Sequence, residues 1–225
     1  MLVVKDLVCG YSKKTAIIGP ISFELGMGNV LIFQGPNGVG KSTLLKTLAT
    51  ILKPISGSLL IQGRPAEKMR NKIFFLQEAV DVPQEFTAID YLMVVASFYN
   101  TSVSRDHVAE ILVDVAGIPS PRIRLGKMSQ GQRRRVQLAS ALLPLKNVYV
   151  FILDDPGVGL DEYAKLNTVP YIVSELAKRG CVVVSTRDAQ VAASIKEKVA
   201  NARIEDATKY SRVVAKLIES QMYRI

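Results

Sequence analysis

A glycine-rich stretch, GPNGVGKST at residues 35–43, follows the apolar run VLIF and precedes STLLKTLATIL, which has helical periodicity. The stretch fits the pattern G-x-x-x-x-G-K-[ST]. In such a loop the main-chain N–H groups point inward, and the start of the following helix adds its positive dipole end, so the loop forms a cradle for phosphate. We therefore predict a phosphate-binding loop, here called the phosphate loop, made of Gly35, Pro36, Asn37, Gly38, Val39, Gly40, Lys41, Ser42 and Thr43.

Two side chains of this loop have predicted roles, and a second motif supplies a carboxylate. Lys41 would reach the β- and γ-phosphates, and the Ser42 hydroxyl would hold Mg²⁺. The run VYVFILDDP at residues 148–156 is typical of a strand buried on both faces, which places Asp154 at its carboxyl end. Open parallel sheets hold their ligands at that edge, where Asp154 would bind the metal through water. A glycine turn without a ligand, and an aspartate that merely ends a strand, are the alternatives.

Apolar runs alternate with amphipathic segments along the chain, which predicts an α/β fold. A block from about residue 78 to residue 145 has mostly helical periodicity and indicates a helical lobe inserted into a sheet domain. We predict strands at residues 1–8, 21–25, 30–33, 58–61, 72–76, 148–153 and 181–185.

Composition bounds the remaining possibilities. The chain has 225 residues, of which 48% are hydrophobic, so it can bury a full core. No apolar run has the length of a membrane-spanning helix, and the N-terminus lacks the pattern of a secretory signal, so we expect a soluble intracellular protein. The net charge of +9 favours an anionic partner, which could be a nucleotide, a nucleic acid or an acidic membrane surface.

Several other residues attract attention but have plain structural interpretations. Cys9 and Cys181 are far apart and have no metal-binding spacing, so we predict buried free thiols. His107 is predicted to be an inert surface residue with no partner nearby in sequence. The cluster of three arginines at residues 133–135 is predicted to be the solvated face of a helix.

Further motifs, in order along the chain, resemble those of the ATP-binding-cassette (ABC) ATPases. The sequence MSQGQ at residues 128–132 resembles the family's LSGGQ signature and stands upstream of the second strand motif, as in the family. Tyr11 resembles the aromatic residue that stacks on adenine, and Gln77 resembles the glutamine that contacts Mg²⁺. The GLDE sequence around Asp161 resembles the loop of the dimer contact. The resemblance covers nearly the whole chain.

This resemblance implies a P-loop NTPase fold in which a mixed-sheet core carries an antiparallel β subdomain and an inserted helical subdomain. The single ABC ATPase domain would comprise a nucleotide-binding core at residues 1–77 and 146–225 and the helical subdomain at residues 78–145. It also implies a head-to-tail dimer that holds two ATP molecules with Mg²⁺. The signature of one subunit, with Ser129, Gly131 and Gln132, would face the phosphate loop of the other, and ATP binding would close the dimer.

Two departures from the family pattern concern catalysis. The family usually has glutamate as the base after the metal-binding aspartate, whereas this chain has Asp155; the family's histidine is replaced by Arg187. A carboxylate that is one methylene shorter retreats by about 1.5 Å, and Arg187 would either contact the γ-phosphate or pair with Asp155. The resulting hypothesis is that ATP binding and dimerisation are retained while turnover is slow. The alternative is that Asp155 is an adequate base after a backbone adjustment. The third departure, Gln130 in place of a glycine, is milder because Gly131 remains.

The favoured function is therefore the ATPase subunit of a membrane transporter that drives a separate permease polypeptide. The permease would contact the helical lobe near Gln77, where residues 86–99 carry more apolar residues than one buried stripe needs. Core packing is the alternative explanation of these residues. The subunit would then be peripheral on the cytoplasmic face of the membrane. The alternatives are a soluble ABC protein that acts on nucleic acid or a protein assembly, and a binding-only regulatory subunit. The resemblance alone does not choose among these.

Overall fold

A computed structural model describes residues 1–12, 14–78 and 81–215. A five-stranded parallel sheet with the order β6-β7-β8-β3-β9 forms its centre, and a four-stranded antiparallel sheet with the order β2-β1-β4-β5 lies apart from it. The parallel strands are β3 (Val30–Gln34), β6 (Ile73–Leu76), β7 (Val150–Asp154), β8 (Cys181–Thr186) and β9 (Ala202–Asp206). The antiparallel strands are β1 (Leu2–Gly10), β2 (Ala16–Leu25), β4 (Ser56–Ile61) and β5 (Arg64–Pro65).

The strands β7 and β8 are buried along their whole length, which explains their uninterrupted apolar sequences. Successive side chains of β7 point to opposite faces of the sheet, so Phe151 and Leu153 enter one apolar core while Val150 and Ile152 enter another. The central sheet thus separates two cores, and its strands hold their register through packing on both faces.

Helix α1 (Lys41–Leu48) lies between the two sheets, in contact with β7 and β8 on one side and with β1 and β2 on the other. Its buried residues Leu44, Leu45 and Leu48 belong to the core that the two sheets share. These leucines fix the helix start, and with it the phosphate loop, against a rigid frame. Helices α5 (Val169–Ala177) and α6 (Ala189–Lys198) contact each other and cover the other face of the parallel sheet.

The segment between β6 and β7 is mainly helical. It contains α2 (Ala88–Phe98), α3 (Arg105–Glu110), which continues as a π-helical turn over Ile111–Val115, and α4 (Gln130–Ala139). Each of the three helices begins after a side-chain cap, from Thr87, Ser104 and Ser129 respectively. The division of the chain at residues 78 and 145 stays a prediction, and we keep the name helical lobe for the described part of residues 78–145.

All seven predicted strands are present, with ends that coincide or differ by at most five residues. Strands β5 and β9 were not predicted. Strand β9 has the short, polar sequence ARIED. It lies at the edge of the sheet and is only partly buried, so it does not need a continuous run of apolar side chains. Its pairing with β3 places it beside the phosphate loop. Residues 216–225 of the C-terminal tail lie outside the described residues.

Cys9 and Cys181 are both free and buried, as predicted. Burial raises the pKa of each thiol to about 11. Neither thiol is therefore a nucleophile at neutral pH.

Candidate functional site

The phosphate loop connects β3 to α1 at the carboxyl edge of the parallel sheet. Gly35 N–H donates to the Thr186 carbonyl at 3.1 Å, which ties the start of the loop to the neighbouring strand β8. Gly40 has φ 107°, and a Cβ there would lie 2.9 Å from the Ile17 side chain, so only glycine fits this position. Gly38 also has a positive φ, of 84°. The two glycines give the loop the left-handed turns that direct its amides inward.

Lys41 points back over this loop. Its ammonium donates to the carbonyls of Gly35 at 2.7 Å and Pro36 at 2.9 Å, and the residue is only 7% exposed. Burial lowers the pKa of Lys41, while the nearby carboxylates of Asp155 and Asp154 act in the opposite direction. An ammonium has three donors, so two hold it at the loop and the third can bind an anion.

The register of β7 and β8 builds the acidic side of the site. Asp154 pairs with Ser185 across the two parallel strands, and both lie at the carboxyl end. The Ser185 hydroxyl donates to Asp154 Oδ1 at 2.5 Å. Asp154 is buried, and this bond fixes one of its carboxylate oxygens.

Asp155 has an unusual backbone. Its φ of 40° is left-handed, a region in which aspartate is among the few tolerated residues. Its N–H donates to Ser185, to the carbonyl at 3.1 Å and to the hydroxyl at 3.2 Å. The Thr186 hydroxyl donates to Asp155 Oδ1 at 3.3 Å. Both the main chain and the carboxylate are therefore fixed.

The surroundings of Asp155 favour its protonated form, so its pKa is higher than that of a free aspartate. Burial is the largest cause that raises its pKa, followed by the carboxylate of Glu78, while Arg187, Thr186 and Lys41 act against it. Arg187 Nε lies 3.8 Å from Asp155 Oδ2, and the arginine side chain is 50% exposed. Such an open ion pair is weak, so Arg187 can leave Asp155 for another anion at little cost.

These elements surround one cavity of about 250 Å³. Tyr11 lies at its border with its side chain mostly exposed, which leaves the ring free for stacking. Among the residues described, the cavity lining includes Glu78 and does not include Gln77. Glu78 was not predicted as a site residue, although it directly follows the predicted Gln77. The lining residues are Tyr11, Ile17, Asn37, Gly38, Gly40, Lys41, Ser42, Thr43, Glu78, Asp154 and Asp155.

The donor set of this cavity fits a small hard cation. Ser42 and Asp154 both line it and both offer oxygen ligands, which Mg²⁺ prefers. Magnesium keeps several waters and takes few protein ligands when phosphates complete its shell. One hydroxyl and one carboxylate beside a phosphate loop meet that requirement.

The signature residues lie elsewhere, at the N-terminus of α4. Ser129 and Gln132 form a capping box: the Ser129 hydroxyl accepts from Gln132 N–H at 3.2 Å, and Gln132 Oε1 accepts from Ser129 N–H at 2.9 Å. The hydroxyl keeps its own proton to donate. A Cβ on Gly131 would lie 3.0 Å from the Gly159 carbonyl, so Gly131 also permits a close contact with the loop before Asp161.

Two details of the predictions for Arg134 and His107 were wrong. Arg134, in the predicted solvated cluster, is only 4% exposed and donates to main-chain carbonyls near the site. Three consecutive residues of a helix point in different directions, so one of them can face the core. The charge of the three arginines made a buried position unexpected. His107 is on a helix as expected, yet it has a partner, because its Nδ1 lies 3.2 Å from Glu110 Oε2.

Replacing Asp155 by asparagine is expected to raise the free energy of unfolding at pH 7. The pKa of Asp155 is raised in the folded state, so its ionised form is less stable there than in the unfolded chain, and a neutral amide avoids that penalty. Below the unfolded pKa, about 3.9, the carboxyl is protonated in both states and the difference disappears. Thermal unfolding of both proteins at pH 7 and near pH 3 measures this difference.

The matched control is Asp114→Asn, which removes a carboxylate from an exposed position in the helical lobe. Its effect should stay within about 0.5 kcal/mol at either pH. An Asp155→Asn protein that unfolds at a lower temperature than wild type at pH 7 would contradict the prediction.

None of the helices in the described ranges combines the length and the apolar character that crossing a bilayer requires. The sequence model of the ABC transporter family matches residues 18–158 of this chain. An ABC transporter ATP-binding protein of Methanocaldococcus jannaschii is 31% identical over 213 residues, which cover 89% of this chain and 72% of that protein.

Solved structures agree with this match. The structure of an ABC transporter ATP-binding protein from Pyrococcus furiosus has a TM-score of 0.82 and 37% identity, and the match covers 93% of this chain and 98% of that one. A dimeric ATP-binding cassette in a post-hydrolysis state, bound to ADP and phosphate, has a TM-score of 0.73 and 22% identity, with 92% of this chain and 95% of that one covered. The predicted P-loop fold is thereby confirmed. The chain belongs to the ABC transporter family, as one of its ATP-binding subunits.

Proposed function

We propose that this subunit binds ATP with Mg²⁺ in the 250 Å³ cavity and hydrolyses it slowly, and that ATP-driven dimer closure moves a separate membrane permease. One observation carries the proposal. Lys41, Ser42, Asp154 and Asp155 come from the phosphate loop and the end of β7, yet all four line the same cavity. An ammonium, a hydroxyl and two carboxylates are the groups that a Mg²⁺-bound triphosphate and its attacking water require.

Within this cavity the residues divide the work by chemical type. The phosphate-loop amides and Lys41 bind the phosphates, Tyr11 stacks on the base, and Ser42 and Asp154 hold the metal, with Gln77 as its proposed further contact. Bound Mg²⁺ neutralises charge on the β- and γ-phosphates. Asp155 orients the attacking water, and its hydrogen bonds to Ser185 and Thr186 support that role by fixing it before the substrate arrives.

The second half of the site comes from another subunit, identical or homologous. The Ser129 hydroxyl proton, the Gly131 N–H and the start of α4 offer donors and a positive dipole end to the γ-phosphate of the facing subunit. The capping box supports this assignment because it holds the serine in place while leaving its proton available. Phosphate release removes the bridging charge and opens the dimer.

The permease contact is proposed on the helical lobe. Phe98, at the end of α2, is 81% exposed, and Met93, Val94 and Val95 on the same helix are only half-buried. An apolar surface of this kind supports binding to another protein. Through it the subunit would lie on the cytoplasmic face of the membrane. The relatives reported above are ABC transporter ATP-binding proteins, which favours this partner over nucleic acid.

ATP is expected to convert the Asp155→Asn protein from a monomer to a dimer. Without its base the variant keeps bound ATP intact, so the closed state accumulates, and size-exclusion chromatography should show a doubling of mass with Mg²⁺ and ATP. ADP should leave the monomer unchanged. If ATP leaves the mass unchanged, and no membrane protein co-purifies with the subunit from native membranes in detergent, the proposal fails.

A further inference from the structure

Arg134 is a buried cation beside the catalytic segment. One terminal nitrogen of its guanidinium donates to the Gln77 carbonyl at 2.8 Å. The other donates to the carbonyls of Asp154 at 3.3 Å and Asp155 at 3.1 Å. One side chain therefore contacts the main chain of three residues, two of which carry the carboxylates of the site.

The position of Arg134 in the fold shows which parts of the molecule these contacts connect. Arg134 belongs to α4, whose N-terminus carries the signature residues, whereas Gln77 follows β6 and Asp154 ends β7 in the central sheet. The guanidinium therefore joins the helical lobe to the metal-binding and catalytic segment. A planar fork with fixed donors transmits position better than a flexible ammonium does.

Burying a charge here has a cost that only a specific arrangement can offset. Burial lowers the pKa of Arg134, while the carboxylates of Asp155, Asp154 and Glu78 act in the opposite direction. Its Nε has no hydrogen-bond partner among the residues that the structure describes. An apolar side chain would avoid these penalties, so packing alone does not account for an arginine at this place.

The Asp155 main chain is the element that these contacts restrain. Its left-handed φ of 40° is held from the N–H side by Ser185 and from the carbonyl side by Arg134. If the carbonyl were released, the backbone could relax toward an ordinary conformation and carry the carboxylate away from the attacking water.

We propose that Arg134 is a positioning residue for ATP hydrolysis, which couples the placement of α4 to the placement of Asp155. This inference rests on the proposed function, because it needs Asp155 to act on the attacking water. Among the described residues, Arg134 does not belong to the lining of the 250 Å³ cavity. Its loss should therefore lower kcat and leave ATP affinity nearly unchanged.

The test compares Arg134→Gln with Arg179→Gln. Burial also lowers the pKa of Arg179, and its guanidinium donates to the carbonyls of Leu142 and Leu143, outside the cavity. Both variants thus lose a guanidinium that binds main-chain carbonyls. We expect Arg134→Gln to lower kcat at least about tenfold, which corresponds to about 1.4 kcal/mol of activation free energy. ATP affinity should stay within about threefold of wild type, and Arg179→Gln should hydrolyse ATP like wild type.

Either of two results overturns the inference: a kcat of Arg134→Gln equal to that of Arg179→Gln, or parallel losses of kcat and ATP affinity. If Arg134→Gln fails to fold, Arg134→Lys takes its place, because it keeps the buried charge without the fork, and a wild-type kcat for that variant overturns the inference. A wild-type protein that does not hydrolyse ATP refutes the proposed function instead, so the two failures are distinguishable.

Discussion

Replacing Lys41 by alanine is expected to lower the affinity for ATP by about tenfold to a hundredfold. A hydrogen bond to a charged group contributes roughly 1.5–3 kcal/mol, and Lys41 would make one such bond to the phosphates with the donor that the Gly35 and Pro36 carbonyls leave free. One bond of that strength corresponds to about tenfold to a hundredfold in affinity. Burial strengthens the attraction between Lys41 and a phosphate. The residue is only 7% exposed, so water screens its charge weakly.

Calorimetric titration with Mg²⁺ and ATP measures this loss. Lys46→Ala is the matched control, since Lys46 lies on the same helix, α1, in its last turn rather than at its start. That variant should bind ATP within about threefold of wild type. Thermal unfolding checks that the carbonyls of Gly35 and Pro36, which lose a donor, do not disturb the fold. An unchanged affinity of a folded Lys41→Ala protein would remove the basis of the proposed function.

The central sheet was predictable because burial on both faces requires its inner strands to be apolar. Strands β7 and β8 are buried on both faces, so their sequences must be continuously apolar, and their length and ends are easy to read. The phosphate loop was predictable for a similar reason, since its glycines are required by backbone geometry. The edge strand β9 has no such requirement, so its polar sequence gave no sign of its pairing with β3.

The parts of the site that were missed depend on distant neighbours. Arg134 is buried because the ends of β6 and β7 supply carbonyl acceptors, and those are 57 and about 20 residues away along the chain. Ser185 fixes both Asp154 and Asp155, yet a serine near the end of a strand is unremarkable in sequence. A sequence pattern records the groups that touch a ligand more readily than the groups that hold them.

The hydrogen bonds that fix Asp155 bear on whether its short side chain makes it an adequate base. A backbone adjustment that advanced its carboxylate would have to break the bonds of its N–H to the Ser185 hydroxyl and of its carboxylate to the Thr186 hydroxyl. Both bonds are buried, and a buried polar group left without a partner costs about 1–3 kcal/mol. The structure therefore opposes the adjustment, which favours slow turnover.

Replacing Asp155 by glutamate is accordingly expected to raise kcat about tenfold or more. The added methylene extends the carboxylate by about 1.5 Å without moving the restrained main chain, and an error of about 1 Å in placement can change a rate about a hundredfold. The gain has a structural cost, because glutamate tolerates a φ of 40° less well than aspartate does. We expect a loss of about 1 kcal/mol and a melting temperature lower by about 2–4 °C.

Steady-state phosphate release by wild type, Asp155→Glu and Asp155→Asn decides this question. Asp155→Asn should fall to the background rate, because an amide cannot accept a proton from water. Asp114→Glu makes the same chemical change at an exposed position of the helical lobe and should leave kcat unchanged. A fast wild type that Asp155→Glu does not accelerate would mean that the carboxylate already reaches the water. The restrained backbone would then be an adaptation to the shorter side chain, because the left-handed turn at Asp155 would itself supply the missing reach.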